Sequence, residues 1–172
     1  MIAMTATSTH PEVPGSRIVI DTSAWIECFS QTALGQRIAS VLPAREHCIV
    51  PTIVQLELSK WALRELTEEE RERLEESLED CQVELLDSET AALAARANLE
   101  HKLATADADA VIYATAQRLG AEVLTCDAHF KSLPLVRLFA KGAATGSAVA
   151  APDTTGRWER WPTAKQLTPT VQ

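Results

Sequence analysis

The sequence predicts an α/β domain, built on a short parallel sheet of four or five strands with helices on both faces. Two observations carry this expectation: brief β-branched or apolar runs recur along the chain, and segments of helical periodicity fill the gaps between them. RIVIDTSAW (17–25) starts as a strand that stops at Asp21. Apolar and small residues then continue at helical spacing through Ala24, Ile26, Phe29, Leu34, Ile38 and Val41. HCIVP (47–51) is a second strand, closed by a proline well placed to open a helix over residues 51–66. The charged run 64–80 predicts an exposed helix, 82–86 a third strand, and the alanine-rich stretch 88–103 another helix. DADAVIYATAQRLG (107–120) is a helix ended by glycine, 121–127 a fourth strand, and 133–139 a fifth.

At 172 residues the chain is long enough for one domain with its own core. Residues 1–16 have neither the basic start nor the apolar block of a signal peptide and read as a flexible leader. No apolar run reaches the roughly 18 residues a membrane span needs. The four cysteines, Cys28, Cys48, Cys81 and Cys126, form no CxxC pair and lie in or beside apolar segments. They read as small buried thiols of a reducing cytosol rather than disulfides or zinc ligands. Residues 140–172 are rich in Ala, Thr, Gly and Pro and read as an irregular tail. Net charge is −8, yet that tail holds four basic residues against two acidic ones, which leaves the first 139 residues at −10. Such a body argues against simple polyanion binding, which usually shows a basic face.

Four carboxylates stand out. Asp21 and Asp127 each end a buried strand, and in parallel sheets sites form beyond the strands' carboxyl ends. Glu57 lies between Ile53 and Trp61 in one i, i+4 row, a costly place for a carboxylate without a partner. Asp109 shares an inward stripe with Ile112, Ala116 and Leu119, while Asp107 faces the other way and suits a helix cap. Each has a plain reading as a turn, first-turn or flanking residue. Together they point to a cation, since clustered like charges stay ionised only around one. Oxygen-only ligands favour Mg²⁺ or Mn²⁺.

IVIDTSAWIE, the glutamate of VQLELSKW, DADAVIYATAQRLGAEVLTCDAHF and the final LVRLF resemble the PIN-domain ribonucleases, and among them the VapC-type toxins of toxin–antitoxin pairs. The resemblance spans about residues 17–139 and implies a PIN-like three-layer sandwich. It implies that Asp21, Glu57, Asp109 and Asp127 are the catalytic acids, with Asp21, Asp109 and Asp127 on the metal, and that Ser23 and Thr125 orient them. It also implies an RNA substrate, cleavage leaving a 5′-phosphate and a 3′-hydroxyl, a cognate antitoxin with a basic or arginine-containing segment, and a homodimer. Tyr113 stands where the family has alanine, which should affect packing. Arg17, Lys60, Lys102, Lys131 and Arg137 are scattered candidates for phosphate contacts, each read more readily as a solvated surface residue.

Two other folds fail on required positions. A haloacid-dehalogenase-type phosphatase wants an aspartate at Ser23, and a phospho-receiver domain wants an acidic pair at the first strand, leaving Asp87 and Thr125 as a loose fit. A non-catalytic module whose acidic pocket receives a basic peptide, and an RNA-processing PIN nuclease without an antitoxin, stay open. RWERW (157–161) could stack on bases or pack on the domain or across a dimer.

Overall fold

A computed structural model describes residues 17–101, 103 and 107–141. The leader 1–16, Lys102 and the RWERW motif lie outside the described residues.

Five parallel strands form one sheet: β1 (Ile18–Ile20), β2 (Cys48–Pro51), β3 (Gln82–Glu84), β4 (Glu122–Thr125) and β5 (Val136–Leu138), in the order β3-β2-β1-β4-β5. The segment 133–139 is thus a strand, on the edge beside β4. Every residue of β1 and β2 is buried, so the central strands are covered on both faces, as continuous apolar runs in a parallel sheet require. This order also separates the chain from a phospho-receiver domain, whose doubly wound sheet runs 2-1-3-4-5.

Among the described residues, six α-helices connect the strands. The periodicity over 24–41 resolves into two, α1 (Thr22–Phe29) and α2 (Ala33–Ala39). The chain breaks at Gln31, which adopts a left-handed φ of 52°, and Thr32 restarts it by accepting the Gly35 amide at 2.9 Å. The pair pack so closely that a Cβ on Gly35 would lie 1.9 Å from the Glu27 carbonyl oxygen. Pro51 is the N-cap of α3 (Thr52–Glu65). A Thr67–Glu70 capping box then starts the charged helix α4 (Glu68–Glu79). Asp87 accepts the Thr90 amide at 2.7 Å just before α5 (Ser88–His101), and so caps that helix.

The last helix, α6 (Asp107–Leu119), departs from the expected stripe. All eight residues from Asp109 to Ala116 are buried, because α6 packs on β1, β2 and β4 as well as on α3 and α5. Tyr113, fully buried, meets the His101 ring edge to face at 5.4 Å. Asp107 is the first residue of α6 itself, and Gly120, with φ of 61°, ends the helix. All four cysteines are free and buried, and burial raises the Cys28 and Cys81 thiols to about 12 and that of Cys126 to about 11. Among the described residues, no helix is long and apolar enough to cross a membrane.

Candidate active site

The sheet order reverses beside β1: the chain steps outward through β2 and β3, then returns to place β4 on the other flank of β1. Crevices form at such switch points, outside the carboxyl ends of the strands. Here the cleft has a volume of about 360 Å³ and is lined by Asp21, Glu57, Asp109 and Asp127. The four acids singled out in the sequence therefore share one cavity.

Asp21 follows β1 directly and is buried, serving as the N-cap of α1. Its Oδ2 accepts the Ser23 amide at 3.3 Å, the Ser23 hydroxyl, and the Thr125 hydroxyl at 2.7 Å. Ser23 Oγ in turn accepts the Cys126 amide, and Thr125 Oγ1 accepts the Asp127 amide, both at 2.9 Å. Ser23 and Thr125 thus join the ends of β1 and β4 through hydroxyls that fix the carboxylate. Burial raises the pKa of Asp21 and outweighs these hydrogen bonds, which act to lower it.

Asp127 departs slightly from its expected place. It stands two residues beyond β4 rather than at the strand's end, and caps a short 3₁₀ turn (Ala128–Phe130) by accepting the His129 amide at 2.9 Å. Asp109, in the first turn of α6, has its carboxyl raised to about 6. Burial is the main cause, the neighbouring Asp21 and Asp127 carboxylates add to it, His129 opposes it, and Glu57 contributes last. Glu57 lies half-buried on α3, and its Oε2 accepts the Thr22 hydroxyl at 2.5 Å.

These residues suit a hard divalent cation. The donors are carboxylate oxygens, two of them buried, and among the described residues no lysine or arginine forms an ion pair with Asp21 or Asp109. Buried like charges, with only the exposed His129 ring facing one of them, are what a cation would relieve.

Sequence reasoning missed four residues here. Thr22 orients Glu57, and its only signal is its place between Asp21 and Ser23. Arg64 lines the cleft one turn beyond Lys60, and Lys141 lines it while lying 3.2 Å from Glu27. His129 Nδ1 lies 3.2 Å from Asp127 Oδ1 and 3.5 Å from Asp109 Oδ2. Of the described phosphate-contact candidates, only Lys60 lines the cleft. Arg17 donates to the Leu119 carbonyl at 2.6 Å, at the end of α6, and Arg137 pairs with Glu122 at 2.6 Å across neighbouring strands. Lys131 is exposed and away from the cleft.

Comparison with known proteins agrees with this architecture. No curated protein matches the chain at a significant level. Among solved structures, a toxin–antitoxin complex from Klebsiella pneumoniae is 21% identical, with a TM-score of 0.61 over 70% of this chain and 95% of that one. DNA-bound VapBC from Salmonella typhimurium is 17% identical, with a TM-score of 0.58 over 71% and 96%. Mycobacterium tuberculosis VapC20, described as a sarcin–ricin loop cleaving toxin, is 17% identical, with a TM-score of 0.55 over 66% and 92%. At these identities the likeness is one of fold. The sequence itself matches the family profile of the PIN domain over residues 18–135, most of its length, and the chain belongs to the PIN-domain family.

Proposed function

We propose that this protein is a metal-dependent endoribonuclease acting as the toxin of a toxin–antitoxin pair. The observation that carries the reading is the convergence of Asp21, Glu57, Asp109 and Asp127 on one cleft at the switch point of a PIN fold. The toxin–antitoxin context of the similar structures, and the RNA-cleaving description of VapC20, support the assignment.

Asp21, Asp109 and Asp127 would hold Mg²⁺ or Mn²⁺, which when bound neutralises charge on the phosphoryl oxygens and lowers the pKa of the attacking water. Ser23 and Thr125 keep the Asp21 carboxylate in one orientation. Glu57 has one oxygen occupied by Thr22, and its other oxygen orients the water and accepts its proton. Lys60 and Arg64, exposed on α3 beyond Glu57, bind phosphates flanking the scissile one. The products carry a 5′-phosphate and a 3′-hydroxyl.

The partner is an antitoxin whose basic or arginine-containing segment enters the acidic cleft, where a guanidinium satisfies the same carboxylates as a metal. The toxin works as a homodimer in the cytoplasm, through a nuclease domain over residues 17–139.

Partner-free protein incubated with total cellular RNA and Mg²⁺, Mn²⁺ or EDTA tests the reading, with Asp109→Asn alongside. Discrete, metal-dependent cuts that vanish in the variant are expected. Equal cutting by both proteins would indicate a contaminant. A well-folded protein that binds its antitoxin yet cuts nothing would instead be a non-catalytic acidic-pocket module.

A further inference from the structure

We infer that His129 is a nitrogen ligand of the metal site and biases it toward Mn²⁺ over Mg²⁺. The inference rests on the proposed metal-dependent activity and deepens it, because three carboxylates alone would favour neither ion strongly.

The geometry comes from the 3₁₀ turn after β4. Asp127 caps this turn by accepting the His129 amide, which fixes the histidine backbone against the Asp127 carboxylate. Fully buried Phe130 anchors the next position in the core, so the ring has a defined base to project from. His129 Nδ1 then lies 3.2 Å from Asp127 Oδ1 and 3.5 Å from Asp109 Oδ2, each an ion-pair contact when the ring is protonated. One donor atom from each of Asp109, Asp127 and His129 falls within 4.8 Å of the others. Octahedral ligands at about 2.1 Å from an ion stand about 3 Å apart when adjacent and about 4.2 Å when opposite. The three atoms therefore fit one coordination sphere with minor adjustment.

The donor set matters because imidazole and carboxylate discriminate between metals differently. Mg²⁺ dehydrates reluctantly and takes oxygen ligands, whereas first-row ions accept imidazole readily, with Mn²⁺ retaining a taste for carboxylates. A site of two or three carboxylates and one histidine favours Mn²⁺. The ring is half-exposed, so it can swing onto an ion without disturbing the core.

Metal titrations of the full-length wild type, His129→Gln and Asp109→Asn test this. Free Mn²⁺ is read by electron paramagnetic resonance, Mg²⁺ affinity by competition, and folding by circular dichroism. In His129→Gln, Mn²⁺ affinity is expected to fall about tenfold, with Mg²⁺ affinity changed by no more than about twofold. Pulsed resonance on Mn²⁺-loaded wild type should show a directly coordinated ¹⁴N nucleus that His129→Gln lacks. If Asp109→Asn loses metal while His129→Gln keeps full Mn²⁺ affinity and shows no change in ¹⁴N signal, the ligand assignment falls and the metal site stands. Equal loss of both ions in His129→Gln also overturns it, by pointing to general electrostatics. A wild type that binds neither ion overturns the assignment and the metal-dependent reading together.

Discussion

Replacing Asp109 with asparagine should stabilise the metal-free protein while abolishing its activity. The ordinary aspartate pKa of 3.8 is raised to about 6 at Asp109 by burial and by the surrounding carboxylates. Each unit corresponds to about 1.4 kcal/mol, so ionising this group in the folded, metal-free state costs about 3 kcal/mol. Because the folded pKa is raised, this penalty is absent below about pH 4, grows between about pH 4 and 6, and is complete above. Asparagine cannot ionise, but it keeps a burial cost of its own. The expected net gain is about 1–2 kcal/mol at pH 8, or a rise of about 4–8 °C in Tm for a domain of this size. Thermal unfolding in EDTA at pH 4, 6 and 8 measures it: the two proteins should converge at pH 4 and separate as pH rises. Saturating Mn²⁺ should close or reverse the gap, since a ligand at 100 times its Kd stabilises the wild type by about 2.7 kcal/mol. A variant less stable than wild type at pH 8 in EDTA, with the deficit undiminished at pH 4, would refute the idea that uncompensated charge loads this site.

Thr125→Val removes a hydroxyl that donates to Asp21 and accepts the Asp127 amide. It should cost about 1–3 kcal/mol in urea unfolding and lower kcat more than it alters RNA affinity. Gly35→Ala places a methyl against the Glu27 carbonyl, and denaturation should show a loss of at least about 3 kcal/mol with α1 displaced. Lys60→Ala combined with Arg64→Ala should raise KM for RNA, leave kcat nearly unchanged, and flatten the dependence of binding on salt, read by filter binding across a salt series.

The fold was legible because most strands are short apolar runs and helices bring start or stop signals such as Pro51 and Gly120. The break between α1 and α2 was not. Apolar spacing runs through it unchanged, and only the close packing at Gly35 and the left-handed Gln31 reveal two helices. The carboxylates were readable because buried charge violates a local rule, at Glu57 and Asp109, or recurs at strand ends, at Asp21 and Asp127. The residues beside them break no such rule. Thr22, Arg64 and Lys141 are ordinary in sequence, and their proximity to the cleft arises from how α1, α3 and the segment after β5 meet in three dimensions. His129 was visible beside Asp127, but its approach to Asp109 depends on a single 3₁₀ turn that periodicity does not encode. Arg17 shows the converse, since it looked available for a phosphate in sequence and instead donates to the last carbonyl of α6.

The four buried thiols make the fold its own reporter. With their pKa values raised, they present almost no thiolate at neutral pH, so alkylating reagents and mild oxidants act on them only when the surrounding structure opens. Their positions divide the domain: Cys28 reads the α1–α2 contact, Cys48 a central strand, Cys81 the approach to the edge strand β3, and Cys126 the loop between Thr125 and Asp127. Residue-by-residue labelling rates would therefore chart which part of the domain breathes first. Slow labelling of Cys126 in the presence of metal would show the site closing around its ion without any added probe.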